Sequence, residues 1–182
     1  MKNPYKILSS KIVHKNPYWY VRDNIVIRPN KTKGHYYVIH KKDGIVIIPL
    51  TADKKYTYLV RQWRFAVSEN AWEFPMGGLE DDETIFAAAQ RELREETGIT
   101  AKKWTKLKFQ PHISNGFMTQ KENIFVAQNL TIQDTNKREE SEGDMIMKKF
   151  SLQKVKEMIE TGRIKDSFTI MAFYYFQLNF KK

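Results

Sequence analysis

Apolar residues alternate with polar ones, or run together, through the first third of the chain. The stretches YKILSSKIVHK, YWYVRDNIVIRP and HYYVIHK (residues 5–41) are separated by turn signals at Asn16-Pro17 and from Asn30 to Gly34. This pattern predicts a meander of three short strands. Such a meander has open edges and is marginal alone, so it is expected to pack on the main domain or on a partner subunit. The runs IVIIPL and YTYLVRQWRFAV, on either side of Asp53-Lys54-Lys55, predict two central strands. After Trp72-Glu73-Phe74-Pro75-Met76 the period changes. Ile85, Ala88, Ala89 and Leu93 share one face of a helix that begins near Asp81 to Thr84 and is capped by Gly98. The stretches WTKLKFQPH and ENIFVAQNL then read as strands flanking the loop ISNGFMTQK, and MIMKKF as one more strand. Ser151 caps a helix through about Thr161, ended by Gly162, and Asp166-Ser167 opens a final apolar helix that belongs to the core.

Composition narrows the class. A chain of 182 residues with 41% hydrophobic and 13% aromatic residues suits one ordinary domain with a small N-terminal appendage. No apolar run approaches the roughly 20 residues that cross a bilayer, and the first ten residues lack an apolar signal core. With no cysteine, disulfides and thiolate metal sites are excluded, and the expected location is the cytoplasm. The four histidines (His14, His35, His40, His112) show no ligand spacing, so any metal is held by oxygen.

Charge adds a contrast. The net charge is +10, yet seven acidic and only two basic residues fall between Gly77 and Ile99, so the remainder is more basic still. An acidic patch in a basic body suits a polyanionic substrate whose phosphates are shared between a metal and basic side chains. Within the patch, Glu92, Glu95 and Glu96 stand at i, i+3 and i+4 and share one helix face. Their mutual repulsion turns into coordination if a hard cation such as Mg²⁺ or Mn²⁺ binds. Outside the patch, Arg61 and Arg64 straddle Trp63 and are candidates to clamp a diphosphate. Tyr18, Trp19 and Tyr20 read either as sheet packing or as a stacking platform for a nucleobase.

Gly77, Glu83, Arg91, Glu92, Leu93, Glu95, Glu96, Gly98 and Ile99 fit G-x5-E-x7-R-E-U-x-E-E-x-G-U at every fixed position, U being a bulky aliphatic residue. At average residue frequencies a chance match at one start is on the order of 10⁻⁹ to 10⁻¹⁰. The segment resembles the Nudix box of the Nudix hydrolases. The order of N-terminal strands, VRQWR, WEFPMGG, box, SNG loop, acidic loop and ETGRIKDSFTI further resembles the ADP-ribose and ADP-sugar pyrophosphatase branch.

The resemblance implies an α/β/α sandwich with a mixed central sheet, here carrying residues 43–182 with the box at 77–99. It gives residues 1–42 the N-terminal antiparallel meander, with dimerisation and base binding as its work, and implies a homodimer. The implied reaction is Mg²⁺-dependent hydrolysis of the diphosphate in a nucleoside diphosphate sugar, ADP-ribose or a related ADP-sugar, giving AMP and a sugar phosphate. Glu92 and Glu96 are the implied metal ligands, with Glu95 supporting both coordination and catalysis and the Met76 carbonyl completing a site. Gly77, Glu83, Arg91 and Gly98 are implied to shape the box, Glu83 by pairing with Arg91. Arg64 matches the arginine on the substrate diphosphate, and Trp19 is the candidate for stacking on the base. The base is implied to be a glutamate of the acidic loop, where Glu142 is favoured over Glu140 and Glu139 is the third choice. The loop ISNGFMTQK carries Gln120 where many relatives have glutamate, which points to altered contacts there. The alternatives are another Nudix activity, on nucleoside triphosphates, dinucleoside polyphosphates or an RNA 5′ end, and a non-catalytic nucleotide sensor. No aromatic–basic RNA module is present, so a nucleic acid is the less favoured partner and no membrane is expected.

Overall fold

A computed structural model describes residues 2–132 and 145–180. The chain divides into two units, Met1–Asp43 with Pro111–Lys121, and Gly44–Gln110 with Glu122–Lys182.

The first unit is an antiparallel sheet of β1 (Lys6–Lys15), β2 (Trp19–Ile27) and β3 (Lys33–Lys41), in that order. No residue of β1 is buried, although it carries Ile7, Leu8, Ile12 and Val13. In β2, Asp23 is buried and its carboxylate meets His35 Nδ1 at 2.7 Å. The loop 111–121 belongs to this unit, whereas the sequence reading placed it in the second domain. Its backbone supplies the reason: Ile39 N–H donates to Phe117 O (2.8 Å) and Thr119 N–H donates to Ile39 O (3.0 Å). Lys121 N–H also donates to the Asp43 carboxylate (3.1 Å). Gln120 is buried here.

The second unit has two sheets. One has the order β7 (Met76–Gly78), β4 (Gly44–Pro49), β9 (Glu122–Ile132), β8 (Ile99–Lys106), with β4 and β9 parallel and the other pairs antiparallel. The other is antiparallel, β10 (Ile146–Ser151), β5 (Tyr56–Arg64), β6 (Glu69–Glu73). Alternation along β4 sends Ile45 and Ile47 one way and Val46 and Ile48 the other. Ile45 and Ile47 pack with Ala88, Ala89 and Leu93 of α1 (Ile85–Thr97). Val46 and Ile48 pack with Val155 and Met158 of α2 (Leu152–Glu160) and with Ala172, Phe173 and Phe176 of α3 (Ser167–Asn179). β4, covered on both faces, is buried at all six positions. This is the expected α/β/α sandwich with a mixed sheet, its strands shared between two sheets.

The helix boundaries follow local chemistry. Thr84 caps α1 by accepting from Ala87 N–H, and Gly98 ends it in the left-handed region (φ 67°). Ser151 and Asp166 cap α2 and α3 in the same way, through Lys154 N–H and Thr169 N–H. One strand differs from its expected place. β8 runs from Ile99 to Lys106 and shares only Trp104–Lys106 with WTKLKFQPH, because the reversal at Gly98 lets buried Ile99 pair at once with Ile132 of β9. No helix among the described residues is long and apolar enough to cross a membrane.

Candidate active site

The site is built where three segments of the second unit meet. The first is the backbone from Glu73 to Gly78, the second the carboxylate face of α1, the third the N-terminus of α3. Pro75 breaks the chain between β6 and β7, and Phe74 N–H, which has left the β5–β6 ladder, donates to the buried Thr169 hydroxyl (2.9 Å). Thr169 N–H donates in turn to Asp166 Oδ2 (2.7 Å). The first turn of α3 thus holds the strand that leads into the box.

The paired glycines Gly77 and Gly78, directly after Pro75 and Met76, read in sequence as a tight turn. They lie instead within β7, and neither has a positive φ. Gly77 is needed for a close approach: a Cβ there would overlap the Glu92 carboxylate. Glu92 and Glu96, one helical turn apart, are 9% and 4% exposed. Met76 N–H donates to Glu96 Oε2 (3.0 Å). Two buried carboxylates therefore converge on the Met76-Gly77 backbone.

Arg91 offsets their charge. Its Nε and Nη2 donate to the two oxygens of Glu83 (3.0 and 2.9 Å), and Nη2 also donates to Gly78 O (3.0 Å). Nη1 donates to Glu92 Oε1 (2.9 Å) and Glu95 Oε2 (3.0 Å). A guanidinium has five N–H groups, and all five are engaged. Hydrogen bonding by Arg91 holds the Glu83 carboxyl below its ordinary value, and the same bond, against the opposing pull of burial, raises Arg91. Glu83 also accepts from Glu80 N–H (3.2 Å), which closes the loop before α1.

The two arginines of β5 do not act as one clamp. Positions 61 and 64 are three apart, so their side chains leave opposite faces of the sheet. Arg61 lies over the Trp72 ring, 5.6 Å from its centroid, and its Nε has no hydrogen-bond partner among the described residues. Arg64 faces Glu73: its Nε lies 3.0 Å from both carboxylate oxygens, and Nη2 also bonds Oε2. Glu73 is nearly buried, its side chain 4% exposed against 39% for Arg64. Burial pushes the Glu73 carboxyl up and the pull of Arg64 only partly offsets it, while Glu73 holds Arg64 above its ordinary value. The next charges felt by Arg64 are those of Glu96 and Asp166, which places it beside the box.

The donors around Met76-Gly77 are all oxygen, the chemistry that a hard divalent cation prefers. Among the described residues no group of three histidine or acidic side chains is arranged around one point, in keeping with Arg91 holding Glu92 and Glu95. The residues fit a divalent cation by donor type and by the close approach of the Glu92 carboxylate to the backbone that Gly77 allows.

Trp19 stands in the first unit, its ring 4.8 Å from that of His14. Glu139, Glu140 and Glu142 lie outside the described residues. Sequence reasoning gave no role to Glu73 or Thr169 and read Asp166 only as the start of the last helix. Glu73 was visible as the lone charge in the stretch Ala71-Trp72-Glu73-Phe74-Pro75-Met76, and Asp-x-x-Thr carries the spacing of a helix cap.

A family model described as NUDIX domain matches residues 40–168. The ADP-ribose pyrophosphatase of Bacillus subtilis is 31% identical over 174 residues, covering 95% of this chain and 89% of that protein. A GDP-mannose pyrophosphatase of Escherichia coli is 30% identical over 164 residues, covering 87% of this chain and 83% of that protein. The methanol dehydrogenase activator of Bacillus methanolicus is 27% identical over 150 residues, covering 82% and 80%. A crystal structure of an ADP compounds hydrolase shares the fold, with a TM-score of 0.79 at 19% identity over 93% of this chain and 90% of that one.

Proposed function

We propose that this chain, which belongs to the Nudix hydrolase family, cleaves the diphosphate of ADP-ribose or a related ADP-sugar to give AMP and a sugar phosphate. The observation that carries this reading is the convergence of Glu92 and Glu96 on the Met76-Gly77 backbone with Arg64 alongside. The relative named ADP-ribose pyrophosphatase supports the choice of sugar nucleotide. The relative named GDP-mannose pyrophosphatase favours a guanine sugar nucleotide as the second reading.

Glu92 and Glu96 would hold the metal, with Glu95 and the Met76 carbonyl in support. Mg²⁺ is the ion we assign, with Mn²⁺ as a substitute. When bound, the metal neutralises the diphosphate and lowers the pKa of the attacking water. Arg64 binds the diphosphate oxygens in the ground state and the transition state alike. Glu83 and Arg91 keep the loop and helix in register. Glu142, or failing it Glu140, takes the proton of the water, an assignment that rests on the sequence. Trp19 keeps its proposed part as the platform for the base. Arg61, on the opposite face from Arg64, is not used. The setting we propose is a cytoplasmic homodimer acting on small molecules.

The test is a panel of ADP-ribose, ADP-glucose, GDP-mannose, dATP and capped RNA, with products identified. AMP plus ribose phosphate is expected from ADP-ribose. Glu96→Gln, which removes a metal ligand but keeps the side-chain volume, should lower turnover by about 10² or more with an unchanged melting temperature. Turnover of RNA with ADP-ribose inert would overturn the substrate class.

A further inference from the structure

Glu73 is the least explained charge near the site. It occupies the last position of β6, next to the core residue Phe74, and burial opposes its ionisation. A core has no need of a carboxylate there, since an apolar residue of similar volume is often as stable as a buried ion pair. Its carboxylate takes one edge of the Arg64 guanidinium, through Nε and Nη2. Among the described residues Arg64 Nη1 has no hydrogen-bond partner. One edge of the fork is fixed and the other is left for a ligand.

We propose that Glu73 is a positioning residue for the substrate diphosphate, holding Arg64 by its Nε edge so that the Nη1 side meets the phosphate oxygens. This rests on the diphosphate-binding role given to Arg64 above. An arginine on the end of a strand, 39% exposed, otherwise samples many rotamers, and binding must then order it. Burying the carboxylate removes that cost before the ligand arrives. The bidentate geometry also fixes the plane of the guanidinium, which a lysine or a single hydrogen bond does not.

A purely structural pair and a positioning pair give different results. With ADP-ribose as substrate, Glu73→Gln should raise KM about tenfold or more while kcat changes by less than about threefold, the signature of lost ground-state and transition-state binding together. In the Arg64→Lys background the same substitution should add no further loss, because the two residues act as one unit. An unchanged KM, or a loss that persists undiminished beside Arg64→Lys, overturns the proposal. If wild type leaves ADP-ribose intact, the substrate reading has failed. The inference is then read from ADP affinity by calorimetry across the same four proteins, with the same pattern of loss expected. If Glu73→Gln fails to fold, the wild-type Arg64 Nε–H decides the matter. Its NMR signal, identified by its absence in Arg64→Lys, should exchange slowly with water. Exchange as fast as that of the exposed Arg94 or Arg163 would show that Glu73 does not hold the side chain.

Discussion

The two arginine centres of the second unit are built from the same parts and end in opposite states. Around Arg91 in the loop and helix of the box, every N–H is taken by Glu83, Gly78, Glu92 or Glu95. Around Arg64 in the β5–β6 hairpin, one carboxylate takes one edge of the fork. The side chains are 18% and 39% exposed. A saturated guanidinium has nothing left to offer a ligand and works as a fastener. A half-engaged one is oriented and still available. The same residue type is thus spent on architecture or left available to a ligand according to how many of its donors the fold consumes.

The comparison can be broken most forcefully at Arg91. Arg91→Ala leaves Glu83, Glu92 and Glu95 without their shared cation. Since the cluster is only partly buried, the cost should fall at or just below that of breaking a fully buried pair, about 3–5 kcal/mol. Urea unfolding should show that loss, together with a lower midpoint at an unchanged slope. A shift within error would mean that the carboxylates are solvated and that the saturated hub holds nothing. A smaller effect is expected at Gly77. Gly77→Ala puts a methyl group where the Glu92 carboxylate lies, so Glu92 or β7 must move, at about 1–3 kcal/mol. Because β7 has ordinary extended geometry there, the loss should appear in Mn²⁺ affinity by calorimetry as well as in stability. Stability lost without any change in Mn²⁺ binding would detach Glu92 from the metal.

The smallest effect is the pH dependence of Glu83. Arg91 holds its folded pKa below the ordinary 4.5. The stabilisation is therefore present above that ordinary value and is lost as pH falls through the folded one. Glu83→Gln should melt a few degrees below wild type at pH 7, and the gap should close as pH falls well below 4.5. A gap of constant size would assign the loss to shape and not to charge.

Much of this was written locally in the chain. Thr84, Gly98, Ser151, Gly162 and Asp166 mark helix ends because capping is decided within a few residues. The face Ala88, Ala89, Leu93 is legible from helical spacing alone. Other features depend on partners remote in sequence. Gly77 reads as a turn until Glu92 is placed beside it, fifteen residues further on. Phe74 finds its acceptor at Thr169, 95 residues away. The start of β8 was hidden because KKWTK has no clear alternation, and pairing with β9 decided it. The opposed directions of Arg61 and Arg64 were legible from strand parity and were overlooked in favour of their nearness in sequence.

The bond between Phe74 and Thr169 sets an order of events during synthesis. A nascent chain that has already extruded the whole box still has Phe74 N–H without its buried acceptor, because α3 has not been made. Buried amides need a partner, so the strand that presents Met76 and Gly77 settles only when the last helix docks. Chains interrupted before Thr169 carry an intact motif on an unfinished platform. They should be handled by the cell's quality control as folding intermediates rather than as working hydrolase.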